Sequence, residues 1–115
     1  MIDAKFSFDG LNKVIHERAR LGILTSLVTH HGGLSFVQLK KLCNLTDGNL
    51  SRHIKVLNEA GFVSIQKSFV ANRPQTFCQV TSQGQVAFAS YIELLETIVK
   101  DASNVGFDPK PLKGS

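Results

Sequence analysis

Two amphipathic stretches separated by only two residues constrain this chain more than anything else in it. The second, Thr46 to Ala60, reads TDGNLSRHIKVLNEA. Thr46 is a good N-cap residue, and Leu45 before it with Leu50 after it supplies a hydrophobic staple, so a sharp entry into a helix is expected. At about 100° per residue, Leu50, Ile54 and Leu57 share one narrow stripe, while Gly48, Ser51, Arg52, Lys55 and Val56 point sideways or away. The first stretch, Phe36 to Cys43, opens on Ser35 with Gln38 in capping-box register and with Leu34 and Leu39 as a second staple. Its buried side is Phe36, Leu39 and either Leu42 or Cys43. Joined through Asn44-Leu45 alone, two such short helices must cross at a steep angle, which is the helix-turn-helix arrangement.

The flanking segments fit around that pair. From Leu11 to about Thr29, apolar residues recur at helical spacings with His16, Glu17, Arg18 and Arg20 between them, predicting a helix with a charged first half. His30-His31-Gly32-Gly33 stops it. Gly61 occupies the C-terminal position where a left-handed residue belongs. Phe62 to Phe69 has the β-branched and aromatic content of a strand, Val70 to Gln75 reads as a turn, and Thr76 to Val80 as the return, so 62–80 is a hairpin. Thr81 caps a long helix over 81–102, in which Gly84 is a weak point near the start. Phe6 and Phe8 fit either an extended arm or an early helical turn, and the proline-containing tail 108–115 is expected to be loose. The order helix, helix, helix, hairpin, helix is that of a winged helix: α+β, mainly helical, a single domain over 1–115.

Composition narrows the class without naming it. A chain of 115 residues is one domain's worth and can bury enough surface to fold without staples. A formal charge of +4 and a pI of 9.3 favour a polyanionic partner but decide nothing alone. Cys43 and Cys78 show no metal-type spacing with each other or with His16, His30, His31 and His53; they read as small buried hydrophobes. No metal or cofactor site is expected. The start lacks a basic region followed by an apolar one, and no apolar run approaches the ~20 residues needed to span a bilayer, so a cytoplasmic location and no membrane role are expected. There is no Ser/His/Asp set, phosphate loop or catalytic carboxylate pair, which argues against an enzyme.

Particular words in the sequence extend this reading. LSRHIKVLNEAGFVSI resembles the recognition-helix-to-wing segment of the ArsR and MarR groups of regulators, and ARLGIL resembles the arginine-leucine segment of ArsR-type proteins. Leu45 to Ser51, Glu59-Ala60-Gly61, Phe69 to Pro74 and Thr81 to Gly84 together resemble a small winged-helix family of transcriptional regulators, over about Asn12 to Val99. The resemblance implies a dimeric DNA-binding regulator with the long last helix at the dimer interface. ArsR metal sensors carry paired cysteines before the turn; here Cys43 is followed by Asn44 and Leu45, so metal sensing does not carry over. The wing turn is also less basic than the family's usual tip.

On that reading the helix 46–60 enters the major groove with its N-terminal half foremost. Thr46 lies at its start, Gly48, Asn49 and Ser51 permit close approach, and Asn49 suits adenine. Arg52 suits guanine or a phosphate, Lys55 a phosphate, and Val56 a thymine methyl, while Glu59 marks where contact ends. Lys67, Asn72 and Arg73 belong to the hairpin that would reach the adjacent minor groove or backbone, and Ser35 and Gln38 lie at a helix N-terminus suited to a phosphate. Leu11 with Phe88, Tyr91, Ile92, Leu95, Ile98 and Val99 are expected at a two-fold interface, since the last stripe is longer than the short helices can cover. The partners expected are therefore double-stranded DNA and a second copy. Two alternatives stay open: the same stripe folded back on its own body, and a winged helix used only for protein interaction.

Overall fold

The computed structural model describes residues 4–112. Its elements are α1 (Arg18–Thr29), β1 (Leu34–Ser35), α2 (Phe36–Cys43), α3 (Asp47–Glu59), β2 (Val63–Val70), β3 (Arg73–Val80) and α4 (Ser82–Asn104). The fold is a winged helix, mainly helical, with one small antiparallel sheet in the order β1-β3-β2. Among the described residues no helix is long and apolar enough to cross a membrane.

The core fills the space enclosed by α1, α2, α3 and the base of the sheet. Ile23, Leu24 and Leu27 of α1, Leu39 of α2, Leu50, Ile54 and Leu57 of α3, and Val63 and Cys78 of the sheet are all buried, with Leu34 and Phe62 at its edges. Each large aliphatic side chain so buried stabilises the fold by about 1.5–3 kcal/mol. In α2 the inward position after Leu39 goes to Cys43, half-buried, whereas Leu42 is left exposed. Burial raises the Cys78 thiol pKa to about 11.

Helix α1 begins later than its periodicity predicts. Segment 11–17 carries the same apolar spacing, but the Asn12 carboxamide accepts the backbone N–H groups of Val14 and Ile15, so those amides already have a partner outside a helix. Glu17 then sits extended as the N-cap, accepting the amides of Ala19 and Arg20. Arg20 Nε closes the loop by donating to the Val14 carbonyl at 2.6 Å. Burial works against ionisation of the Glu17 carboxylate, but those two amides, with the Arg20 guanidinium nearby, outweigh it and pull its pKa below the usual carboxylate value.

The hairpin is tighter than its composition predicts. Ala71 and Asn72, both at positive φ, form the whole turn, and Arg73, Pro74 and Gln75 belong to β3 rather than to a loop. Val70 and Arg73 flank a two-residue turn and form a hydrogen-bonded pair, so the next pair, Phe69 with Pro74, is a non-bonded one that needs no proline N–H. At the hairpin's root, the two-residue strand β1 adds to β3 through Leu34–Cys78 and Ser35–Phe77, a pairing with no signal in the sequence.

Helix α4 runs out from the hairpin. Thr81 Oγ1 accepts the Gly84 amide and donates to the Gly61 carbonyl at 2.6 Å, while Thr81 N–H donates to the Phe62 carbonyl. The apolar stripe of α4 divides along its length. Tyr91 is buried in its own chain's core and hydrogen-bonded to His16 Nδ1 at 2.7 Å, which removes it from the set expected to meet a second copy. Phe88, Ile92, Leu95 and Leu11 are half-buried against that core. Beyond them Ile98 is half-buried and Val99 is 65% exposed. The radius of gyration, 18.0 Å, exceeds the roughly 13 Å of a compact chain near this length, as a projecting helix requires.

Candidate nucleic-acid interface

Helix α3 is held from one side only. Thr46 accepts the Asn49 amide at its start, Gly61 at φ +83 ends it, and Leu50, Ile54 and Leu57 anchor it inward. His53 joins that buried face, at 9% exposure. Arg20 Nη1 reaches His53 Nδ1 at 3.1 Å, and because a guanidinium has no acceptor, that ring nitrogen accepts. The arginine thus ties the loop before α1 to the middle of α3. Sequence periodicity missed this contact: His53 flanks Leu50 and Leu57 on the helix wheel, but only the fold brings Arg20 to it.

The opposite face is open. Thr46, Gly48, Asn49, Ser51, Arg52 and Lys55 are all exposed, Val56 is half-buried at the margin, and a Cβ placed on Gly48 would meet nothing within 4 Å. Arg52 Nη2 donates to Asn49 Oδ1 at 3.2 Å, an exposed bond that holds both side chains on one surface and can be exchanged for a base edge. Asp47, at the start of the helix, would repel phosphate, but Lys40 Nζ lies 2.9 Å from its carboxylate across the turn. The local field on this face is therefore set by Arg52 and Lys55.

The other expected contacts separate on inspection. Ser35 is only 7% exposed, its hydroxyl accepting the Gln38 amide and its own amide donating to Gln38 Oε1, so the capping box takes Ser35 out of the exposed set. Gln38 remains on the surface, its Oε1 engaged by that bond. Lys67, Asn72 and Arg73 are exposed, but not on the same side of the wing. Counting alternately from buried Val63, the inward face of β2 carries Ile65, Lys67 and Phe69, paired with Cys78, Thr76 and Pro74. Arg73 pairs with Val70 on the reverse face. Ile65, Lys67 and Thr76 line a cleft with Ser51, Ile54 and Lys55 of α3, and Pro74 and Thr76 continue it past Phe36 and Val37.

Over residues 19–99, which hold this helix pair and the hairpin beside it, the chain matches a family model described as a winged helix DNA-binding domain. The chain belongs to that family. A relative, an uncharacterized protein of Methanocaldococcus jannaschii, is 41% identical over 88 residues, covering 73% of this chain and 91% of its own. Among solved structures, a transcriptional regulator homologue from Pyrococcus horikoshii superposes with a TM-score of 0.71 at 31% identity, over 76% of this chain and 86% of that one. A MarR family transcriptional regulator from Silicibacter pomeroyi gives a TM-score of 0.58 at 27% identity, over 79% of this winged-helix chain and 59% of the longer regulator.

Proposed function

We propose that this chain is a transcriptional regulator that binds a pseudo-palindromic duplex site as a homodimer, with α3 in the major groove and the β2–β3 wing over the adjacent backbone or minor groove. The observation that carries the reading is the division of α3: its inner stripe is buried, while Gly48, Asn49, Ser51, Arg52 and Lys55 are exposed, Ser51 and Lys55 on the side that faces the wing. Small residues at the leading end let the backbone approach the base edges, and the cations further along meet guanine or phosphate. The stripe Ile92, Leu95 and Val99 on α4, rimmed by Glu96 and Lys100, supports a two-fold partner there. Such a dimer would set two recognition helices about 34 Å apart, one turn of the duplex. A DNA-binding regulator of this kind would work in the cytoplasm.

Selection of bound duplexes from a random pool, with light scattering for mass, tests the proposal. Arg52→Ala is expected to cost about 1–3 kcal/mol of binding and to relax base preference at one position, and Lys55→Ala to reduce the salt slope by about one. Unchanged affinity in both variants would remove α3 as the reading helix. A winged helix used only to bind protein predicts no salt-dependent duplex binding in the parent chain.

A further inference from the structure

The wing's tip is built of the wrong material for a contact led by a cation. Phe69 is 77% exposed although it lies on the inward face, in line with buried Val63 and half-buried Ile65. Directly opposite it stands Pro74, in a non-hydrogen-bonded pair, where side chains come closest. The two-residue turn Ala71-Asn72 keeps this end narrow. Arg73, the tip's one cation among the described residues, starts from the reverse face with Val70.

What the inward face looks toward is also defined. Its residues Lys67 and Thr76 share a cleft with Ser51 and Lys55 of α3, and the lining of that cleft holds two cations and no carboxylate. The face is thus continuous with the recognition surface and complementary to a polyanion. Lys67 sits two residues nearer the protein body than Phe69, so a backbone strand held at Lys67 puts the Phe69 ring beyond the phosphates, over the groove they border.

We propose that Phe69, backed by Pro74, is an apolar wedge for the DNA minor groove, and that the wing acts through this pair rather than through Arg73. Aromatic and proline side chains placed this way pack on sugar edges and prise base steps apart, bending the duplex. A groove about 6 Å wide admits one ring edge-on. The inference rests on the major-groove assignment of α3, and its test separates the two.

The probe is a duplex that the wild-type chain selects from a random pool, titrated at several salt concentrations with wild type, Phe69→Ala, Phe69→Leu and Arg73→Ala. Phe69→Ala is expected to weaken binding by about tenfold or more with the salt slope unchanged, because an apolar contact releases no counterions. Phe69→Leu should keep most of the affinity, and Arg73→Ala should cost less than Phe69→Ala. An unaltered unfolding midpoint for Phe69→Ala establishes that the loss is not one of folding. Phe69→Ala binding within about twofold of wild type, or a larger loss in Arg73→Ala, would overturn the wedge while leaving α3 in place. Absence of salt-dependent binding by the wild-type chain would overturn both.

Discussion

Replacing Gly84 by alanine should destabilise this protein, although helix propensity alone predicts a gain of up to about 1 kcal/mol. Gly84 lies in the first turn of α4, where its amide donates to the Thr81 cap. A Cβ there would sit 2.2 Å from the Phe62 carbonyl oxygen, 2.9 Å from Val80 Cγ2 and 3.0 Å from the Phe62 carbonyl carbon. Two of these are backbone atoms, so no rotamer change relieves the clash. To regain an ordinary separation of roughly 3.5 Å, the start of α4 must retreat by more than about 1 Å. That retreat stretches the 3.0 Å bond from Thr81 N–H to the Phe62 carbonyl. A strained hydrogen bond costs about 1 kcal/mol and overpacking about 1–3 kcal/mol, against a propensity gain that is small in a first turn. The net expectation is a loss of about 1–3 kcal/mol. Urea unfolding of wild type and variant, compared at equal chain concentration because dimerisation would add to apparent stability, should show a lower midpoint with an unchanged slope. Gly22→Ala is the matched control: it lies inside α1 and its Cβ would sit 3.8 Å from Cys43 Sγ of α2, an ordinary contact, so it should gain about 0.5–1 kcal/mol. A Gly84→Ala protein as stable as wild type would refute the reasoning.

Thiol labelling of the native protein should modify half-buried Cys43 and spare Cys78, whose thiol is buried and has its pKa raised to about 11; Cys78 should react only after denaturation. Equal labelling of both would show that the sheet base opens readily. Glu17, with its folded pKa held below the unfolded value, contributes stability that is full above the unfolded pKa and is lost as pH falls through the folded one. Glu17→Gln should therefore flatten the acid limb of the stability curve, and an acid limb identical to wild type would place the sensitivity elsewhere.

What could be read from the chain in advance was what local chemistry decides. The caps at Thr46, Ser35 and Thr81 each act over three residues, and all three form with the partners their spacing implies. The core stripe of α3 follows from one helical period, which is why its outer face was legible too. The start of α1 was not, because Asn12 and Glu17 compete with the helix for the same amides, and spacing alone does not show which wins. At the hairpin, Asn72-Arg73-Pro74 has turn composition, yet the turn falls on Ala71-Asn72, and alanine at φ +52 is a conformation that the pairing of two whole strands imposes. That shift hid the wing's inward face. A strand's sides alternate, so Lys67 and Phe69 share a face in any register, but which residues stand opposite them depends on a pairing that only the structure fixes, and Pro74 could not be placed across from Phe69 until it was.

The short strand β1 gives the wing a different mechanical character from a flap on a hinge. Its Ser35 pairs with Phe77 through the backbone and caps α2 through the hydroxyl, so one residue belongs to both parts. The hairpin's root is thereby stitched to the helix-turn-helix, whereas its outer half, from Thr76 to the tip, has only β2 as a neighbour in the sheet. It should flex like a cantilever, bending outward from Phe77 while its base stays registered to α2. Any force strong enough to tilt the whole hairpin must either break the backbone pairing of β1 with β3 or drag on the residue that caps the helix supporting α3.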